Sequence, residues 1–130
     1  YAARNMFRQL DTMGFDLELY NNAKQVSEAV IGLVETHKSI NDLLVSLKTH
    51  SDHLMAHSIA VSGLSVLIGQ EIGLEKRSNL EKLAMGGLLH DIGMKALPPD
   101  LLKKSLAEMS GDEIALYETH SFRGMQMLQS

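Results

Sequence analysis

Cysteine and tryptophan are absent from this 130-residue chain, aromatic residues make up only 5% of it, and its two prolines, Pro98 and Pro99, are adjacent. Without cysteine there is no disulfide framework and no thiolate metal site, so a metal here would be held by imidazole and carboxylate. The few aromatics leave leucine and eight methionines to fill a core, which suits packed helices better than a sheet. No apolar run reaches membrane-spanning length and no leader pattern opens the chain, which gives the expectation of a cytoplasmic protein with no membrane partner. The formal charge of −4 argues against a polymeric nucleic acid as partner, while leaving room for a small phosphate substrate held by local cations or metals. The opening YAARNMFRQL reads as a helix entered part-way, so a piece of a longer protein is expected.

Apolar residues recur at three- and four-residue steps through most of the chain. Val26, Val30, Leu33, Ile40, Leu43, Leu44 and Leu47 predict helix from about Leu17 to Leu47, with Gly32 or Thr36 as a break. A second helix is expected from Ser51 or Asp52 to Glu71, with Gly73 beyond its end. A third starts at the capping-box pattern Ser78-x-x-Glu81, runs into His90-Asp91 and is closed by Gly93. The proline pair opens a short turn, and a last helix starts at Ser110-x-x-Glu113 and continues through His120 to about Leu128. No alternating β-type run competes. The expectation is an all-α bundle of about five to six helices, with residues 1–46 as connector or first helix and 47–130 as the domain.

The six histidines fall into different settings. His53 and His57 are four apart, on a face that continues through Ala60, Leu64 and Leu67 and is therefore expected to point to the core. They are either ligands for an ion or structural histidines, one buried and one at a wet helix end. His90 and Asp91 end an apolar run, LAMGGLLHD, where an uncompensated carboxylate would cost several kcal/mol. A metal, a cation or backbone amides of the next turn would answer that need. His120 lies with Leu116, Gly124 and Met127 on a stripe of small and apolar residues, and Gly124 would admit close approach of another element or a ligand. Together, His57, His90-Asp91 and His120 bring inward-facing donors from three helices, the usual way a helical bundle builds a metal site. His37 and His50 are read as solvated.

The stretches HSIAVSGLSVLIGQEIGL, LAMGGLLHDIG and LPPDLLKKSLAEMSGDEIALYETHSFRGMQML resemble the HD superfamily of metal-dependent phosphohydrolases, and specifically its HD-GYP branch. The resemblance covers about Leu47 to Leu128 and implies a helical HD-type bundle that hydrolyses cyclic di-GMP with a metal-activated water. It implies His57, His90, Asp91 and His120 as metal ligands, His90-Asp91 as the catalytic dyad, and His53 where some members place a glutamate for a third ion. Two divalent ions are implied, iron or manganese, and a cyclic dinucleotide as ligand. A homodimer or an upstream sensor domain is also compatible with such a protein. Typical members read HDIGK, whereas this chain reads HDIGMK: Met94 takes the lysine's place, and Lys95, one residue late, is the candidate for a substrate phosphate. The chain stops at Ser130, before the positions of the family's later HH pair, GYP loop and last aspartate. A second function compatible with these departures is a catalytically weakened HD domain that senses nucleotides or acts as a scaffold. A third is an HD hydrolase of a nucleoside phosphate or guanosine tetraphosphate.

Overall fold

The computed structural model describes residues 3–6, 8, 16–36 and 53–129, which form helices and turns without a strand. The fold of these residues is all-α, and the chain divides into two compact units, residues 1–89 and 90–130. The expected helical continuation to Leu47, together with His37 and His50, lies outside the described residues.

The first unit contains helices α1 (Leu17–Thr36), α2 (His53–Glu71) and α3 (Arg77–Leu89). Asp16 starts α1, its carboxylate accepting the Leu19 amide at 2.8 Å. The buried residues Leu19, Ala23, Val26, Val30 and Ile31 then line one face at helical spacing. The buried Ser27 hydroxyl is satisfied within α1 by donating to the Ala23 carbonyl at 2.9 Å. At the other end of the unit, α2 stops where expected. Gly73 adopts φ +84°, its amide donates to Gln70 O at 3.0 Å, and the Leu74 amide donates to Gly69 O at 2.9 Å. This pair of reversed bonds satisfies the last carbonyls, and it needs the left-handed conformation that glycine adopts without a Cβ clash. Leu74 then folds back onto a core of Ile31, Val66, Leu80 and Ala84, which draws on all three helices.

The orientation of α2 departs from the sequence expectation. His57 is exposed, as are Leu64, Ile68 and Ile72, while the buried face is Met55, Ser58, Ile59, Ser62, Gly63, Val66 and Gly69. The cause is a close helix crossing. A Cβ on Gly87 of α3 would stand 2.7 Å from the Ser62 Cα, so the two backbones meet where only small residues fit. The Ser62 hydroxyl bridges them, donating to Ala84 O at 2.6 Å. Because α2 is apolar on both sides, periodicity could not decide which side turns inward. Among the described residues, the Ser58 hydroxyl is the one fully buried side-chain polar atom with no hydrogen-bond partner.

Two boundaries also move. Helix α3 begins at Arg77, which puts Ser78 inside the first turn rather than at the cap. It ends at Leu89, and Gly93 does not close it; Gly93 lies inside a separate 3-10 turn, Ile92–Ala96.

In the second unit this 3-10 turn is followed by α4 (Pro99–Leu102), a 3-10 turn at Leu106–Glu108, α5 (Gly111–Glu118) and α6 (His120–Gln129). Pro99 occupies the first position of α4, where its missing N–H costs nothing. Capping boxes begin the next two elements: Ser105 with Glu108, and Ser110 with Glu113 as the sequence predicts. The single last helix expected from Ser110 to Leu128 is instead two. At Thr119 both the amide, at 3.1 Å, and the hydroxyl, at 2.6 Å, turn to Leu116 O, and this local competition for one carbonyl interrupts the regular ladder.

Candidate metal centre

In the second unit, the turn that leads into Ile92–Ala96 sets Asp91 between two imidazoles. Its Oδ2 lies 3.1 Å from His90 Nε2 and its Oδ1 lies 3.6 Å from His120 Nε2. The carboxylate and the His120 ring are mostly covered, with side-chain exposures of 17% and 19%, whereas His90 is 36% exposed. Asp91 therefore offers one oxygen to each histidine, the disposition of a carboxylate able to bridge.

His120 is held in a defined tautomer. Its Nδ1 lies 2.7 Å from Tyr117 O, and a carbonyl only accepts, so Nδ1 carries the proton. In the neutral ring the Nε2 lone pair then faces the Asp91 oxygen, with the Ser121 hydroxyl 3.3 Å away. Two electron-pair donors aimed at each other call for positive charge between them, and a metal ion meets that need. Ligand atoms ~2.0–2.2 Å from a common ion stand ~3.0–3.5 Å apart, so both spacings fit a divalent cation to within a tenth or two of an ångström. The carbonyl partner of His120 is the kind of outer contact that fixes a metal-binding imidazole.

Glycines set the approach of α6 to the 3-10 turn. A Cβ on Gly93 would fall onto the His120 carbonyl oxygen, and one on Gly124 would lie 3.2 Å from Gly93 N and 3.3 Å from Ile92 Cγ2. Gly124 thus admits close approach, as its place beside His120 suggests, and the element that approaches is the Ile92–Ala96 turn.

His53 and His57 belong to α2 in the first unit, and both are exposed. Met94 is buried, at 7% exposure, while the adjacent Lys95 is half-buried. Arg123 is not among the residues expected from the sequence; its Nε donates to Thr119 Oγ1 at 2.8 Å. Its spacing of three from His120 was the available signal. The acidic side chains of the capping boxes titrate below the ordinary glutamate range. Glu108 does so mainly through the Ser105 amide, and Glu113 mainly through Lys104, with the Ser110 amide next.

Comparison with known proteins adds a family and several relatives. The HD domain model matches residues 54–130. A cyclic di-GMP phosphodiesterase of Pseudomonas aeruginosa is 30% identical over 98% of this chain. Ribonuclease Y of Pseudothermotoga lettingae is 34% identical and that of Thermosipho melanesiensis 39% identical, each over 62% of the chain. The chain spans 30% of the phosphodiesterase's length and 18% and 15% of the two ribonucleases. No solved structure matches it.

Proposed function

The chain belongs to the HD domain family, and from that premise we propose that it is part of a metal-dependent phosphodiesterase that hydrolyses cyclic di-GMP. The observation that carries this reading is the Asp91 carboxylate, with one oxygen toward His90 and the other toward His120. In this proposal His57, His90, Asp91 and His120 hold two divalent ions, iron or manganese, with His53 as donor to a third and Lys95 near a substrate phosphate. Residues 47–130 form the catalytic part, and residues 1–46 a connector or first helix. A divalent ion bound there supplies Lewis acidity, which acidifies a water and offsets charge on the phosphate oxygens. The chain's own contribution is orientation: the Tyr117 carbonyl fixes the His120 ring, and the glycine contacts fix its distance from Asp91. No serine or cysteine nucleophile is required.

The extent of the matches favours a cyclic dinucleotide. The phosphodiesterase relative aligns with 98% of the chain, against 62% for the ribonucleases. A second reading, an HD domain retained for nucleotide sensing or scaffolding, is favoured by Met94, which is buried where typical members carry a lysine. The test is metal content and cyclic di-GMP turnover of the longer parent protein, with and without Asp91→Ala, alongside RNA and guanosine tetraphosphate. Turnover lost together with metal supports the first reading. Nucleotide binding without turnover supports the second, and turnover unchanged in Asp91→Ala removes the metal-dependent mechanism.

A further inference from the structure

Four side chains in residues 90–130 carry permanent positive charge: Lys95, Lys103, Lys104 and Arg123. Two are neutralised locally, Lys103 by Asp100 at 2.8 Å and Lys104 by Glu113. Lys95 also has an interaction of its own. Arg123 is set apart because no carboxylate among the described residues pairs with it. It is not a loose surface side chain either. It is half-buried, its Nε–H donates to Thr119 Oγ1 at 2.8 Å, and that hydroxyl donates onward to Leu116 O at 2.6 Å. This relay holds the guanidinium by one edge and leaves both Nη groups without a partner among the described residues.

Its place on α6 gives the brace a purpose. Arg123 follows His120 by three residues, and residues so spaced are neighbours on one side of a helix, with Cβ atoms ~5–6 Å apart. The His120 Nε2 faces the Asp91 carboxylate, so a charged fork without an acidic partner stands one helical step from the candidate metal centre. A guanidinium is a planar fork suited to phosphate oxygens, and holding it in advance reduces the entropy lost when it binds. The chain carries a net −4, so a ligand bearing phosphate needs a local cation to meet it.

We propose that Arg123, braced by Thr119, anchors a phosphate group of an anionic ligand whose reacting phosphorus lies at the Asp91–His120 centre. The inference rests on the phosphohydrolase reading and adds to it a positioning residue for the substrate's charge. The competing role is structural: the same guanidinium could serve only to cap the carbonyls that end α5.

The test uses the full chain loaded with Mn2+, with inorganic phosphate as the probe, followed by paramagnetic broadening of the 31P resonance. Arg123→Gln is expected to weaken phosphate binding about tenfold, the scale of a lost charge-assisted contact, while Mn2+ affinity stays as in the parent chain. Arg123→Lys should recover part of the loss, and Thr119→Val, which removes only the brace, should fall between. Wild-type phosphate affinity in Arg123→Gln overturns the proposal, and if the melting temperature alone falls the capping role is the correct one. A chain that binds Mn2+ but no phosphate refutes the arginine anchor and leaves the metal centre standing. If the chain binds no Mn2+, the phosphohydrolase reading falls and takes the anchor with it.

Discussion

Replacing Gly124 by alanine tests whether backbone contact sets the geometry of the metal centre. The added Cβ would lie 3.2 Å from Gly93 N, 3.3 Å from Ile92 Cγ2 and 3.6 Å from Gly93 Cα. Non-bonded heavy atoms prefer ~3.5–4.0 Å, so α6 and the 3-10 turn must part by roughly 0.3 Å. His120 travels with α6, which widens the 3.6 Å spacing between its Nε2 and Asp91 Oδ1 by a similar amount. Metal sites tolerate errors of only ~0.2 Å in ligand distances, and loss of outer support typically costs ~10–100-fold in affinity. An affinity loss of about tenfold is expected for this small displacement. Stability of the metal-free chain should fall by no more than ~2 kcal/mol, because ~1 kcal/mol gained from the helix preference of alanine offsets part of a crowding cost of ~1–3 kcal/mol. Calorimetric Mn2+ titration and thermal unfolding of the metal-free chain separate the two effects. Gly93→Ala is the severe case: its Cβ would fall on the His120 carbonyl oxygen, and metal binding should be lost outright. Gly86→Ala is the control, since a Cβ there meets nothing within 4 Å, and it should leave metal affinity alone. Wild-type Mn2+ affinity in Gly124→Ala would refute the reasoning.

Two further predictions concern the chain without metal. Ser58→Ala should stabilise it by about 1 kcal/mol, because it removes a buried hydroxyl that has no partner. Ser62→Ala should destabilise it by about the same amount, because it deletes the link to Ala84 O. Denaturant titrations decide this pair, and equal effects of one sign would count against the assignment. The capping boxes give a pH dependence. Glu108 and Glu113 titrate below the ordinary glutamate value of 4.5 in the folded chain, so their stabilising effect is complete above that value and is lost as pH falls through their lowered folded values. The Ser105 and Ser110 amide resonances should hold steady from neutral pH to about 5 and move only in stronger acid. Movement of those amides near pH 6 would contradict it.

Much of the helical layout was legible because it rests on local signals. The end of α2 at Gly73 and the box at Ser110–Glu113 each depend on one glycine or one pair of side chains close in sequence. What was not legible depends on partners distant in the chain. The inward side of α2 is decided by Gly87, more than twenty residues on, pressing against Ser62. The break at Thr119 depends on which group wins a single carbonyl, and helical periodicity runs through it unmarked. At the site, the association of His90, Asp91 and His120 was readable from residue type and placement, while the tautomer of His120 and the brace on Arg123 required coordinates.

The packing of α2 reverses the usual rule for altering a protein's solubility. Its inward face includes Ser58, Ser62, Gly63 and Gly69 beside Met55, Ile59 and Val66, while Ile68, and Ile72 just past its end, are 58% and 71% exposed. Someone guided by hydropathy would place charges at the serines and protect the isoleucines, which would wedge the helices apart. The productive exchange is the opposite. Lysine or glutamate at Ile68 and Ile72 should reduce self-association at high concentration without touching the core, and the small residues at the crossing are the ones that must be kept.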